Sequence, residues 1–450
     1  MHRPTFRPAP EPTRRRLLVA GGSAAWLAAC GGGDTSTPAI HAFSADRSSY
    51  FVGEQAQVRV RYSGASARIE PDIGPVADGA LLTTEPLGAT RRLQLVVQTP
   101  GLPDARRDLW LEVYFRDRWQ ALPPFTAAHH AAVLAGDGSV VVLGGSRGLG
   151  VLSDAIDRYD PATRSFRRIG TLATGRSHHS AVRLPDGRIL VVGGQTGAPG
   201  APFAELVDEH SGAVQHGGLL NAPRSRHTAT LLGGSRVLVT GGLGRDSAEL
   251  WEPATGRWRL LSARMAHDRA HATATELPDG RVLIVGGDTS ASTYVFAELF
   301  DPRTETFTPL STGIQERRLL HAAHGLSDGS VLLLGGEVVD GATIRPLASV
   351  LRFDPATQTF APQTPLAVAR TLAASARLPG DGVLLVGGET PGHAASASAA
   401  LWRTGGQSTP APLPRGRVGH TVHRLRDGRV LVLGGEDSTG AYTSDPWLYE

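Results

Sequence analysis

Lysine is absent from this 450-residue chain, so all 45 of its basic residues are arginine. Mechanisms that need a Schiff-base or phosphate-loop lysine are thereby excluded. Cysteine occurs once, at Cys30, and no internal disulfide can form. Aromatic residues make up only 6% of the chain, and the net charge is a mere +3. Even that charge sits at one end: residues 1–29 carry Arg3, Arg7, Arg14, Arg15 and Arg16 against Glu11, a net +4, which leaves about −1 for the rest. With no basic tract to release counterions, a nucleic-acid partner is not expected. The apolar stretch near the start, VAGGSAAWLAA, falls short of the roughly 18 residues that a spanning helix needs.

What the chain has in quantity is glycine, 55 residues of it, which favours many turns and short strands. Glycine pairs close aliphatic runs at Gly144-Gly145, Gly193-Gly194, Gly241-Gly242, Gly286-Gly287, Gly335-Gly336, Gly387-Gly388 and Gly434-Gly435. A fixed period of this kind marks a repeat architecture. Within each unit a first strand, such as the one at His179–Leu184, runs into a tight turn. In six units the turn is Asp-Gly (Asp137-Gly138, Asp186-Gly187, Asp279-Gly280, Asp328-Gly329, Asp381-Gly382 and Asp427-Gly428), a dipeptide that accepts positive φ. The third unit has Gly233-Gly234 there. A continuously apolar second strand follows, as expected for a strand covered on both faces. A third strand, such as Ala297-Glu298-Leu299-Phe300, and a fourth opened by Phe166, Trp258, Phe307 or Phe360 complete the unit.

Ahead of the repeats, residues 40–115 alternate polar and apolar, as in Gln57-Val58-Arg59-Val60-Arg61-Tyr62, which predicts a small antiparallel sandwich. It resembles bacterial immunoglobulin-like modules. Residues 1–29 read as a signal peptide, with Arg14–Arg16 as its basic region. Leu27-Ala28-Ala29-Cys30 resembles the lipobox of bacterial lipoproteins, which implies lipidation at Cys30 and a flexible tether over residues 30–39. The arginine run also resembles a twin-arginine export signal, and Gly31 after the cysteine is what similar lipoproteins show when sorted to the outer membrane. The expected location is therefore the cell envelope, with membrane contact through the lipid alone.

Four strands per unit and a terminal glycine pair resemble kelch repeats throughout residues 116–450. The resemblance implies an all-β chain: a seven-bladed kelch β-propeller preceded by the small immunoglobulin-like sandwich. The last unit ends at its third strand, and residues 117–122 parallel the fourth strand at 256–261, so the N-terminal strand is expected to close blade seven.

Fourteen residues before each first glycine stand His130, His179, His227, Ala272, His321, Ala373 and His420. Three residues earlier come Ala127, Arg176, Arg224, Arg269, Arg318, Arg370 and Arg417. In an up-and-down blade the opening of strand one and the loop after strand two share one face of the disk. The residues after the glycine pairs, Ser146, Gln195, Leu243, Asp288, Glu337, Glu389 and Glu436, are therefore expected to ring the same channel mouth as the arginines. Two readings follow: arginine–carboxylate bridges that fix blade register, and a polar pocket that binds a sugar or peptide carboxylate. The repeated histidines are expected to bond a neighbouring blade's backbone. His267-Asp268 with His271 is the least ordinary of the close histidine sets, yet no metal or cofactor is expected.

The propeller behind a β-sandwich also resembles galactose-oxidase-like copper oxidases. Their activity implies a tyrosine crosslinked to a cysteine, a second tyrosine and two histidines, whereas the one cysteine here is Cys30. A sugar epimerase or glycan hydrolase would draw on Arg318, His321, Glu337 and Glu389. The favoured reading is a monomeric binding module that takes a glycan, peptide or protein partner through its mouth, because the loops 147–153, 195–203, 288–296, 337–347 and 389–399 vary while the strands repeat.

Overall fold

The computed structural model describes residues 37–450 apart from 72, 149, 198–202, 290–293, 313, 315, 341–342 and 393. The expected signal peptide and Cys30 lie outside the described residues. Two compact units make up the chain, one reaching Arg118 and a larger one comprising Trp119–Leu425 with Val430–Tyr449. Among the described residues, no helix is long and apolar enough to cross a membrane.

The smaller unit is built of two sheets. One orders the strands Ala39–Ala45, Gln57–Ser63 and Leu81–Thr83; the other contains Ser49–Phe51, Ala105–Tyr114, Arg91–Gln98, Ser66–Glu70 and Gly74–Pro75. Alternation puts Val58 and Val60 inward, where they meet Phe43, Ile69, Leu93, Leu95 and Leu111 in one core. The sheets are not purely antiparallel as expected, because Ser49–Phe51 pairs parallel to Glu112–Tyr114. The first strand bends out of its sheet after Ala45 and enters the other. Asp46 holds that bend, accepting from Tyr50 Oη at 2.6 Å and from the Gln57 amide at 2.7 Å.

Among the described residues, the larger unit holds seven four-stranded antiparallel sheets. Blade one is Ala131–Leu134, Val140–Leu143, Ala155–Asp160 and Ser165–Thr171, and blades two to six repeat that order. Blade seven is Thr421–Arg424, Val430–Leu433 and Trp447–Tyr449, with Trp119–Ala121 paired to its third strand as expected. First strands of successive blades contact one another all the way round, and Thr421–Arg424 returns to Ala131–Leu134. The second strands are almost wholly apolar, with Arg188 and Thr240 as exceptions at their ends, because each faces two blades. Val237 and Val239 pack with blade two's Leu190 and Val192, while Leu238 packs with blade four's Val282 and Ile284. Across the closure, Leu431 and Leu433 pack with Val140 and Val142. Each such buried side chain contributes about 1.5–3 kcal/mol.

The Asp-Gly turn holds positive φ on its glycine in five of the six blades that carry it, for example Gly187 at 86°. Blade six differs from the sequence expectation. There Pro379-Gly380 shifts the dipeptide by one place, so that Gly380 and Asp381 take positive φ of 70° and 59° and Gly382 is extended at −67°. Asp381 is a residue type that tolerates this conformation, and its carboxylate accepts from Arg377 nearby and from the Ser327 amide of the preceding blade.

Candidate functional site

The glycine pairs are what lock the ring together. In all seven blades the N–H of the second glycine donates to the carbonyl of the residue opening the next blade's first strand, from Gly145 to Arg176 at 2.8 Å round to Gly435 to Ala127 at 2.9 Å. No side chain fits there. A Cβ on Gly144, at φ 60°, would lie 2.7 Å from the Arg176 carbonyl and 3.0 Å from His179 Cε1.

The repeated arginines serve this frame. Arg176, Arg224, Arg269, Arg318, Arg370 and Arg417 are all at most 3% exposed. Five of them donate from Nη1 to the carbonyl of their own blade's first glycine, as Arg224 does to Gly241 at 3.0 Å. Their acidic partners are not the residues after the glycine pairs. Arg176, Arg224 and Arg269 instead pair with Glu205, Glu249 and Glu298 of strand three at 2.5, 2.6 and 2.7 Å. Arg417 takes Asp445 at 3.2 Å, Arg318 bonds Ser349 and Glu316, and Arg370 bonds the Ser398 hydroxyl at 2.9 Å. A signal for this was present in the sequence as Ala-Glu-Leu at 204–206, 248–250 and 297–299.

The repeated histidines lie between blades. His130, His179, His227, His321 and His420 are 6–8% exposed, and burial holds each imidazole neutral by pushing its pKa down to about 3. His420 bonds the Val386 carbonyl of the preceding blade at 3.0 Å, as expected, whereas His130 and His321 reach the hydroxyls of Thr421 and Thr273 at 2.9 and 2.8 Å. His267 is bonded by the Val295 amide at 3.0 Å and stacks on Tyr294, so it does not join His271.

The residues after the glycine pairs occupy one face. Ser146, Gln195, Asp288, Glu337, Glu389 and Glu436 pair with Ala128, Ser177, Ala270, Leu319, Thr371 and Val418, just inside the arginine column, and the Leu243 amide donates to Ser225. Gln195, Leu243 and Asp288 are exposed, Glu389 and Glu436 half-buried, and Ser146 and Glu337 buried. Arg318 and His321 are turned into the blade and its interface, so the quartet Arg318, His321, Glu337 and Glu389 does not form one open pocket.

One column escaped the sequence reading. The residues immediately before the repeated histidine column, His129, His178, Arg226, His271, Leu320, Leu372 and Gly419, all take positive φ between 52° and 63°. Six amide-to-carbonyl bonds of 2.9–3.3 Å link them head to tail, from His129 to Gly419, His178 to His129, and on to Leu372 bonded to Leu320. They form an axial belt at the centre of the ring. On the belt, the His129 and His178 rings stack at 4.4 Å with 18° between their planes, and His129 Nε2 lies 3.2 Å from Glu436 Oε1. Burial, then the neighbouring charges, depress His178 to about 4; these charges are His129, Arg226 and His271. His271 is likewise about 4, through burial, Arg226 and His129. The sequence signal was His178 matched only by His129 and His271, a column in which composition varies and backbone conformation does not.

A family model for the kelch motif matches residues 127–173, which comprise blade one and the segment leading into it. Among solved structures, a fungal alcohol oxidase described as showing catalytic diversity among the AA5 family, in complex with copper, aligns over 74% of this chain and 75% of its own at 17% identity, with a TM-score of 0.60. YjhT aligns over 73% of this chain and 96% of its own at 14% identity, with a TM-score of 0.46. Comparison with curated proteins gives no match. The oxidase likeness shows the fold. Among the described residues, the propeller tyrosines are placed apart from one another: Tyr159 is buried in the blade-seven/blade-one core, Tyr294 stacks on His267, Tyr449 packs on Trp119 and Tyr442 bonds Ser146. Among the described residues, no group of three His, Cys, Asp or Glu side chains is placed to hold a metal ion.

Proposed function

We propose that this kelch-repeat propeller is a binding module that takes a glycan, peptide or protein partner at the mouth ringed by its post-glycine residues. One observation carries the reading: the repeated arginines are bonded within their own blades and the repeated histidines are buried between blades, while the side chains left open at the mouth differ from blade to blade. Catalysis by Arg318 and His321 draws no support from this geometry, because a general acid–base group must reach the proton it moves. Screening the wild type on glycan and peptide arrays tests the proposal. A ligand lost in Asp288→Ala/Glu389→Ala, with an unchanged melting temperature, supports it. Retention of every ligand by that variant overturns it.

The reading includes an envelope anchor at Cys30, supported by the basic and apolar segments before it. Cys30→Ser is expected to move the protein from the membrane to the soluble fraction, and its retention with membranes would argue against the lipid.

A further inference from the structure

The axial belt is divided in composition. Blades one to four contribute His129, His178, Arg226 and His271, whereas blades five to seven contribute Leu320, Leu372 and Gly419. The mouth residues divide the opposite way, with Ser146, Gln195 and Leu243 beside the basic arc and Asp288, Glu337, Glu389 and Glu436 from blade four onward. Nitrogen donors are thus gathered on one side of the axis with few acceptors near them.

Arg226 is the centre of that arc. Its guanidinium has no carboxylate or hydrogen-bond partner among the described residues, and its Nε is buried without an acceptor. Arg224, Arg318, Arg370 and Arg417 of the buried frame share an unmade Nε, but all six frame arginines bond at least one acceptor in their own blades through Nη1 or Nη2, which Arg226 does not. A buried donor left unmade is costly, which makes an incoming acceptor favourable. Around it, His178 uses only Nδ1, toward Ser177 Oγ at 3.2 Å, and His271 makes no side-chain hydrogen bond among the described residues. Among the described residues, Glu436 is the single acid bonded to the arc, through His129.

We propose that the arc His129–His178–Arg226–His271 is a carboxylate-binding site, which rests on the mouth-binding reading above and gives that mouth its ligand chemistry. Arginine presents a donor fork that matches a carboxylate, and the flanking imidazoles add donors once protonated. Stacked imidazoles cannot aim their in-plane lone pairs at one metal ion, so the arc suits an anion. The groups facing His178 are His129, Arg226 and His271; those facing His271 are Arg226 and His129; Glu436 faces His129. Burial and, after it, the neighbouring charges hold His178 and His271 neutral; a bound anion offsets the second cause, so binding takes up protons and tightens as pH falls.

An acidic sugar and a peptide terminus offer the same group. Titration calorimetry with a glucuronate oligosaccharide, with an N-acetylated tripeptide bearing a free C-terminal carboxylate, and with its amide separates the sources. At least one carboxylate probe is expected to bind the intact chain at least threefold tighter at pH 5.5 than at pH 7.5, and the amide not at all. Arg226→Gln is expected to weaken binding at least tenfold, whereas Arg303→Gln, the same charge change at a position whose side chain is 86% exposed, leaves it unaltered. No carboxylate binding at either pH, binding that weakens with acid, or equal loss in both variants overturns the site. If the arrays still yield a ligand that depends on Asp288 and Glu389, only this inference falls; if they do not, the mouth reading falls with it.

Discussion

His178 and His179 are neighbours in the chain and belong to different rings. His179 is one of five histidines seated between blades against the glycine pairs, 8% exposed and held neutral. His178 stands on the axial belt, half-buried, stacked on His129 and beside Arg226. His178 holds φ at 52°, outside the extended region, so the alternation of a regular strand does not relate the two side chains; the turn places one ring on His129 and the other against Gly144. The difference teaches where chemistry can reside in a repeat protein. The column that recurs is consumed by the architecture, and the column that varies at constant backbone geometry is free to act on a ligand.

Acid should break the inter-blade histidine ring first. His130, His179, His227, His321 and His420 each have folded pKa values of about 3, below the value of about 6.5 for an unfolded histidine. Below pH 6.5 the unfolded chain therefore binds protons that the folded one refuses, so the stability these groups leave intact above pH 6.5 is lost as pH falls toward 3. Each costs about 1 kcal/mol between pH 6.5 and 5.5, on the order of 5 kcal/mol for the five. Urea denaturation at the two pH values measures the loss, and a flat profile would show that these imidazoles are not neutral in the fold.

Next in size is the contrast between two arginines two residues apart. Arg224→Ala leaves Glu249 uncompensated where both side chains are 0% exposed, and is expected to cost about 3–5 kcal/mol. Arg226→Ala removes a guanidinium with no acceptor and is expected to change stability by less than about 1 kcal/mol. Equal losses in chemical denaturation would erase the distinction between frame and belt.

The blades, their number and the closing strand were legible in the sequence because period, glycine pairs and apolar second strands all follow from the same inter-blade packing. Where the arginines point was less legible. Recurrence of Arg176 and its counterparts located a column without saying whether its partner lay after the glycine pair or on strand three. Glu205, Glu249 and Glu298 decide that by standing opposite the middle of strand two, within reach of a guanidinium turned into the blade. The axial belt was hidden for a different reason. His129, Arg226, Leu320 and Gly419 share a φ and a hydrogen-bond link and no side-chain property, so no pattern of residue types marks them.

The smallest expected effect sharpens the comparison most. Leu320 holds φ at 56°, a conformation that costs a residue with a Cβ roughly 1–2 kcal/mol and costs glycine almost nothing. Leu320→Gly relieves that strain, while the freer unfolded chain takes back about 0.4–1 kcal/mol and some half-buried apolar contact is lost. The terms nearly cancel, and blade seven already places Gly419 at this position with its carbonyl bonded to the His129 amide at 2.9 Å. Stability within about 1 kcal/mol of wild type, at unchanged denaturant slope, is therefore expected. A loss of several kcal/mol would mean that the belt's side chains hold the ring together as the inter-blade histidines do, and the separation of the two columns would fail at its apolar side.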